Sequence, residues 1–495
     1  MNHCLIMNIE ERSHTRSLGP YRIAHWLRNN GWDAEVIDYC AHWTYDELTE
    51  LCLSRINNNT RFIGFSSLFT GWTNHMEIFS FFLKKHYPNI VQISGSSSLP
   101  NADMSNIDYH IYGFGEKALE VLLKYLFSNG EEPRSTKYFN TKLIDASHYP
   151  AYPLNEYTVL YEERDYLQPW EFLSIETGRG CKFKCSFCNF SVLGVKGDYS
   201  TSQHSFEKQL NENYNRWGIK NYIIAEETFN DRTEKVEKFS QVVQRLKFNP
   251  WFAAYIRADL LISRKHEVEH LANMNVFGQF YGVESFNQKT SKAIKKGMDR
   301  DKMKEGLLKV KEYFEKNDNN KYRGNISLIV GAPYETKESL YNSLDWLVDN
   351  WKTQSFTAYP LGIPVYGRQS ILSGSYGENE YEEITTEELY KKHDKQYVDK
   401  VLKKNNIIKN NKILEKKWLM WKNKQMDVVE AFKIHDHMYD IMRKENFKKS
   451  TFAVAEFSGK DSTIEDKLKL NVNAVKKFRN EELKWVEEYK QKKLS

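Results

Sequence analysis

The sequence predicts an α/β chain with two parallel sheets in series. A doubly wound sheet spans residues 1–130, and an open barrel of six strand–helix units spans 171–368. A helical, basic region follows over 369–495. Three observations predict this order. Short apolar runs alternate with amphipathic stretches, twice along the chain. Gly and Ser gather where the apolar runs end. Strand-like runs fade after residue 380, where Lys, Asn and Glu dominate.

In the first part, Cys4–Ile9 reads as a strand and Tyr21–Asn30 as a helix stopped by Gly31. Strands follow at Glu35–Tyr39, Phe62–Leu68, Ile90–Ser94 and Asp108–Tyr112. Helices follow at Tyr45–Ile56, at Thr73–Tyr87 before Pro88, and at Glu116–Phe127 before Gly130. In a doubly wound sheet, ligands bind at the carboxyl ends of the strands. Small residues collect there: Ser66-Ser67, Gly71, Gly95-Ser96-Ser97-Ser98 and Gly113-Phe114-Gly115-Glu116. Either they let a large ligand approach the backbone, or they are ordinary tight turns. Residues 131–170 contain Pro and Tyr with weak periodicity and read as a linker.

The barrel strands read as Phe172–Glu176, Tyr222–Ala225, Phe252–Ile256, Phe277–Val283, Ile326–Val330 and Ser355–Tyr359. Helices between them include Gln203–Trp217, Thr233–Leu246, Val268–Met274, Lys302–Glu315 and Lys337–Asn350. Functional residues in such barrels sit at the carboxyl ends of strands. Residues 380–495 show no convincing strand. Trp418, Trp421, Phe432 and Trp485 are spaced as helix anchors, and a frayed end is expected.

Composition narrows the function classes. Hydrophobic residues are 40% and charged residues 28% of the 495, as in an ordinary globular chain. No stretch approaches the roughly 18 consecutive apolar residues of a membrane helix. The first residues read as no secretory signal, with one short apolar run before Glu10-Glu11. Net charge is +5, but residues 401–495 carry 23 Lys and Arg against 14 Asp and Glu. Such a tail attracts acidic partners, or it is a solvated helical face with pairs such as Glu488–Lys492. The second reading is preferred, so nucleic acid is not an expected partner. Cys4, Cys40 and Cys52 are scattered, while Cys181, Cys185 and Cys188 fall within eight residues. This is no disulfide scaffold; it reads as a protein of a reducing compartment, the cytoplasm, with one Cys-based metal site.

That site lies in Glu176-Thr177-Gly178-Arg179-Gly180-Cys181-Lys182-Phe183-Lys184-Cys185-Ser186-Phe187-Cys188, directly after a predicted strand. The spacing is C-x3-C-x2-C. Three thiolates on one loop hold three irons of a cubane, and a fourth iron stays open. A structural zinc site needs a fourth ligand nearby, and the next His or Cys is His204.

The loop resembles the radical S-adenosylmethionine (SAM) superfamily, with Phe187 at the aromatic position of C-x3-C-x-aromatic-C. The resemblance implies a 4Fe-4S cluster on Cys181, Cys185 and Cys188, with SAM chelating the open iron. It implies reductive cleavage of SAM to methionine and a 5′-deoxyadenosyl radical that abstracts a substrate hydrogen. Later segments match in order. Glu226 and Glu227, ending the second strand, match an acidic segment that accepts a hydrogen bond from the SAM amino group. Arg257 in Arg257-Ala258-Asp259 matches a guanidinium that pairs with the SAM carboxylate or a nearby acid. Gly282-Val283-Glu284-Ser285 is similar to the family's Gly-Ile-Glu-Ser, so Glu284 and Ser285 are implied SAM contacts. Gly331 and Pro333, in Gly331-Ala332-Pro333-Tyr334-Glu335-Thr336, match a turn that passes near adenine.

The first 130 residues resemble the Rossmann-like cobalamin-binding domain that precedes the barrel in one branch of the superfamily. The resemblance implies cobalamin contacts at Ser66, Ser67, Gly71, Gly95, Ser96, Gly113, Gly115 and Glu116. Asp108-Tyr109-His110-Ile111-Tyr112-Gly113 fits the D-x-H-x-x-G string of proteins that ligate cobalt through His. It lies inside the last strand instead of after the first, so it reads as accidental. The whole implies a radical SAM enzyme with a partial (β/α)6 core. Its reaction is cobalamin-dependent methyl transfer to an unactivated carbon, or another radical modification of a small molecule. A flavodoxin- or ferredoxin-type donor would supply single electrons. Two alternatives stand beside it. One is a methylthiotransferase acting on RNA or protein, with a second cluster on Cys4, Cys40 and Cys52. The other is a non-catalytic iron–sulfur protein.

Overall fold

The computed structural model describes residues 1–9, 16–66, 74–96, 106–138, 140–150, 152–154, 158–188, 200–317, 321–363, 381–409, 412–416, 418–448, 473, 475–477 and 479–481. The chain divides into two compact units. One comprises residues 1–176, 199–221 and 458–495, and the other 177–198 and 222–457.

The first sheet is built from β1 (Asn2–Asn8), β2 (Trp32–Ile37), β3 (Thr60–Ser66), β4 (Val91–Ser96), β5 (Tyr109–Tyr112), β6 (Thr136–Tyr138) and β7 (Thr141–Asp145). Its order is β2-β1-β3-β4-β5-β7-β6. Every pair is parallel except β6 with β7. Helices α1 (Leu18–Asn29), α2 (Tyr45–Arg55), α3 (Asn74–His86) and α4 (Glu116–Phe127) connect the strands. The strand order reverses between β1 and β3. Such a reversal puts helices on both faces and makes the strand ends beside it the preferred ligand crevice. Alternate β1 and β3 residues, Leu5, Met7, Ile63 and Phe65, pack with Phe79 and Leu83 of α3 in one apolar cluster. Helix α2 starts at a capping box, in which Thr44 accepts from the Glu47 amide and the Glu47 carboxylate accepts from the Thr44 amide.

Two segments here differ from the sequence reading. Residues 136–145, which look like linker, contribute β6 and β7; strands of three and five residues are too short for alternation to show. The expected frayed end also folds back in part. Val475 joins the apolar cluster, and Arg479 pairs with Glu35 at 2.8 Å, both side chains almost fully buried. Four residues apart, they share one face of a helical turn.

The second sheet contains β8 (Phe172–Ile175), β9 (Asn221–Ile224), β10 (Trp251–Ile256), β11 (Val276–Glu284), β12 (Arg323–Val330) and β13 (Ser355–Pro360), in chain order. The pairings from β10 to β13 are parallel. The connections hold α5 (Gln203–Trp217), α6 (Thr233–Arg245), α7 (Ala258–Ser263), α8 (Glu267–Asn273), α9 (Gln288–Ala293), α10 (Arg300–Asn317) and α11 (Lys337–Asn350). A monotonic order with right-handed crossovers keeps the helices on one face and leaves the other to line an interior, as in a barrel.

Beyond the barrel lie β14 (Glu382–Glu383), α12 (Thr386–Lys392), α13 (Lys395–Asn405), β15 (Asn406–Lys409), β16 (Lys412–Lys416), β17 (Trp421–Lys422) and α14 (Val428–Lys444). Helix α14 packs on β12 and β13. Short antiparallel pairs, β14–β17 and β15–β16, stand where no strand was expected. Trp421 therefore anchors extended chain and not a helix, whereas Phe432 is buried within α14. Trp485 lies outside the described residues. No helix among the described residues is long and apolar enough to cross a membrane.

Candidate active site

The cysteine loop begins just past β8 and is pinned along its length. The Thr177 hydroxyl donates to Glu226 at 2.6 Å, tying the loop's start to the end of β9. Lys182 donates to the Asp231 carbonyl at 2.6 Å, and Ser186 to the Ala293 carbonyl of α9 at 3.2 Å. The Cys188 amide donates to the Cys185 carbonyl at 3.2 Å, closing the turn between the last two thiols. Cys185 is buried; Cys181, Phe187 and Cys188 are half-buried. None of the three cysteines is in a disulfide. Among the described residues, no three His, Cys, Asp or Glu side chains converge on one metal-ion position. A cubane does not need such a point, because each thiolate binds its own iron.

The predicted carboxylates and Arg257 lie at the carboxyl ends of β9, β10 and β11, and Glu226, Arg257 and Glu284 have contacts that sequence reading missed. Glu226 is buried in an ion pair with Lys235, itself 5% exposed and also paired to Asp231 at 2.6 Å. Burial raises the Glu226 pKa, against the pull of Lys235 and Thr177. A Cβ on Gly178 would stand 2.7 Å from a Glu226 carboxylate oxygen, so a larger residue there would displace the carboxylate from its present position. Glu226 is thus held inside, and Glu227 beside it is half-buried. The Arg257 guanidinium grips Asp259 through Nε at 2.8 Å and Nη2 at 3.0 Å. Its remaining nitrogen, Nη1, lies 3.5 Å from Cys185 Sγ, and its carbon lies 3.9 Å from the Phe183 ring centroid.

Glu284 ends β11 at a register shift, with φ of 70°. A non-glycine residue there is strained, and such strain clusters at functional sites. Its carboxylate accepts from Ser327 at 3.1 Å and faces Lys296 at 3.7 Å. Burial raises the Glu284 pKa, with Lys296 and Ser327 opposing. Ser285 donates to Glu335, which also accepts from Ser339 at 2.5 Å. Burial pushes the Glu335 carboxyl up to about 7 despite those two donors. Pro333 is buried in the turn before it. Gly331 has φ of 92°, and the space a Cβ would need is filled by the Trp421 indole. The glycine that sequence reading reserves for adenine therefore also has a packing reason. No local pattern signals Lys235, Lys296, Phe183 or Trp421; only the fold brings them in.

At the edge of the first sheet, Ser66 pairs with Gly95, Gly95 with Ile111, and Ser96 with Tyr112. The Gly113 amide donates to the Ser96 carbonyl at 2.9 Å, and Gly115 and Glu116 open α4. Six of the eight predicted contacts thus share one edge; Ser67 and Gly71 lie outside the described residues. A Cβ on Gly95 would come no closer than 3.9 Å to protein, the Ile111 carbonyl. Neither packing nor a positive φ demands that glycine, which fits an edge kept open for a large ligand. Glu116 is buried within 4.0 Å of Arg22. His110 is buried in β5 and hydrogen-bonded to Ser94 at 2.7 Å. Its string is a strand interior, as read.

The thiols of the alternative second cluster do not assemble. Cys4, Cys40 and Cys52 are fully buried, and burial pushes all three thiol pKa values up. Cys40 and Cys52 lie in the apolar cluster with Leu5, while Cys4, the strand neighbour of Leu5, points to the opposite face.

Residues 175–347 match the family model of the Radical SAM superfamily. The chain carries a radical SAM domain. It is an enzyme by that domain, one that holds a 4Fe-4S cluster and SAM. The loop of three thiols after the first barrel strand, with buried carboxylates at later strand ends, fits both groups. The fold is similar to that of TsrM from Kitasatospora setae, a radical SAM methyltransferase solved with tryptophan substrate and a SAM analog. The TM-score is 0.60 at 14% identity, over 74% of this chain and 74% of that one. It is also similar to OxsB, a cobalamin-dependent SAM radical enzyme solved with aqua-cobalamin and SAM. There the TM-score is 0.59 at 16% identity, over 100% of this chain and 81% of that one. At these identities the likeness is one of fold. No curated protein matches the sequence.

Proposed function

We propose that this radical SAM protein is a cytoplasmic, cobalamin-dependent enzyme that methylates an unactivated carbon of a small molecule. The supporting observation is that one chain carries both a three-thiol loop after β8 and, in its other sheet, Ser66, Gly95 and Ser96 together at the carboxyl end of the strands. When bound, cluster and SAM would supply radical chemistry, and cobalamin would supply a methyl group. Cys181, Cys185 and Cys188 hold the cluster. Glu284, Ser285 and the half-buried Glu227 line the SAM side, with Phe187, Gly331 and Pro333; Glu226 positions the loop through Thr177. Ser66, Gly95, Ser96, Gly113, Gly115 and Glu116 line the corrin, with Ser67 and Gly71. The domain boundaries proposed are 1–130, 131–170, 171–368 and 369–495. The protein's part is to orient these groups and exclude water, so that the radical meets one hydrogen.

The test is anaerobic reconstitution with iron, sulfide and hydroxocobalamin, then desalting and dithionite reduction with SAM. The reading predicts about four irons per chain, retained cobalt absorbance and 5′-deoxyadenosine. About eight irons would favour the methylthiotransferase, and absence of 5′-deoxyadenosine would favour a non-catalytic protein.

A further inference from the structure

We infer that Arg257 is a redox-tuning residue, which donates a charge-assisted hydrogen bond to the Cys185 sulfur and raises the cluster's reduction potential. The inference rests on the reading of Cys185 as a cluster ligand.

Three observations carry it. Two of the guanidinium's nitrogens are committed to Asp259, at 2.8 and 3.0 Å, which fixes the plane of the fork. The third, Nη1, points at Cys185 Sγ from 3.5 Å, an ordinary length for a bond to sulfur. The flat face stacks on Phe183 at 3.9 Å, and Phe183 belongs to the same cysteine loop. Arg257 is 9% exposed, so solvent screens this charge weakly. A guanidinium held on both edge and face cannot swing away to serve a ligand without breaking these contacts. Sequence matching leaves it to the SAM carboxylate or a nearby acid; two of its nitrogens do take the nearby acid, Asp259, and its geometry assigns the third to the thiolate.

The direction of the effect follows from charge. One electron passes from a low-potential donor to the cluster, and the reduced cluster carries one more negative charge than the oxidised one. A fixed cation and N–H donor at a ligand sulfur stabilise the more negative form, which moves the potential upward.

The experiment is a dithionite titration of reconstituted protein without SAM, followed by electron paramagnetic resonance, with iron measured on every sample. Arg257→Gln is expected to keep its iron and lower the reduced-to-oxidised ratio about tenfold at fixed solution potential, which is about 59 mV for a one-electron couple. Phe183→Leu, which loosens the stack and leaves the ligands alone, is expected to give a smaller fall. Wild-type potential in Arg257→Gln with full iron would overturn the inference, and weakened SAM binding in that protein would return Arg257 to the SAM carboxylate. If Arg257→Gln loses iron, Phe183→Leu decides: a lowered potential supports the inference and an unchanged one overturns it. Wild-type protein that takes up no cluster would instead sink the reading of Cys185 on which the inference stands.

Discussion

Replacing Gly331 by Ala tests whether the turn after β12 is shaped by Trp421. The backbone there has φ of 92°, which costs an L-residue about 1–2 kcal/mol. The new methyl would also meet the indole of Trp421, 2.8 Å from Cζ2 and closer still to Cη2. Trp421 cannot yield easily. It is 1% exposed, its Nε1 donates to the Leu361 carbonyl at 2.8 Å, and it packs edge-on to Tyr381. Overpacking of this kind costs about 1–3 kcal/mol, so the single variant should lose about 2–5 kcal/mol in all. Trp421→Leu trims the ring that clashes and leaves the backbone strain. Urea unfolding of the two single variants and the double variant, followed by circular dichroism, closes a double-mutant cycle. The expected coupling is about 1–3 kcal/mol, the clash alone. Additivity within about 0.5 kcal/mol would refute the placement of Trp421 over this glycine.

Other consequences are as specific. The Glu335 carboxyl titrates near 7 when folded, against an ordinary 4.5, so between these values the unfolded chain holds fewer protons and stability falls as pH rises. Glu335 alone should contribute about 3 kcal/mol to this fall; Glu335→Gln should flatten the slope by that amount in urea melts, leaving the share of Glu226 and Glu284, and an unchanged slope would assign it elsewhere. Glu284→Ala should retain iron yet weaken SAM binding at least about tenfold by calorimetry, a loss of about 1.4 kcal/mol; unaltered affinity would remove Glu284 from the SAM side. Arg479→Ala should destabilise the first unit by the low end of about 3–5 kcal/mol, because Glu35 stays buried with the more distant Arg55, at 3.6 Å, to offset it. A thermal midpoint equal to wild type would contradict the docking of Val475 and Arg479.

Local signals were the readable ones. Helices Glu116–Phe127, Gln203–Trp217 and Lys337–Asn350 have the limits expected from sequence, and caps mark two of their starts: Ser202 accepts from the Ser205 amide, and Thr336 forms a capping box. The cysteine spacing and the order of the strand-end segments were legible for the same reason, since each lies within a few residues. Contacts closed across long stretches were not legible. Lys235 and Lys296 look like ordinary helix and loop lysines until the fold buries them against Glu226 and Glu284. Trp421 has helical spacing from its neighbours, yet it is fixed by a glycine ninety positions earlier. The strand pair at 136–145 is set by β5, not by its own pattern.

Every step of the proposed chemistry depends on three thiolates carrying a cluster with one iron open to SAM. Electron paramagnetic resonance of the dithionite-reduced protein, recorded before and after SAM is added, tests this directly. A reduced-cluster signal that changes shape and g-values on addition, and that is missing from Cys185→Ala, is expected. A signal indifferent to SAM, or one that survives loss of Cys185, would contradict that arrangement.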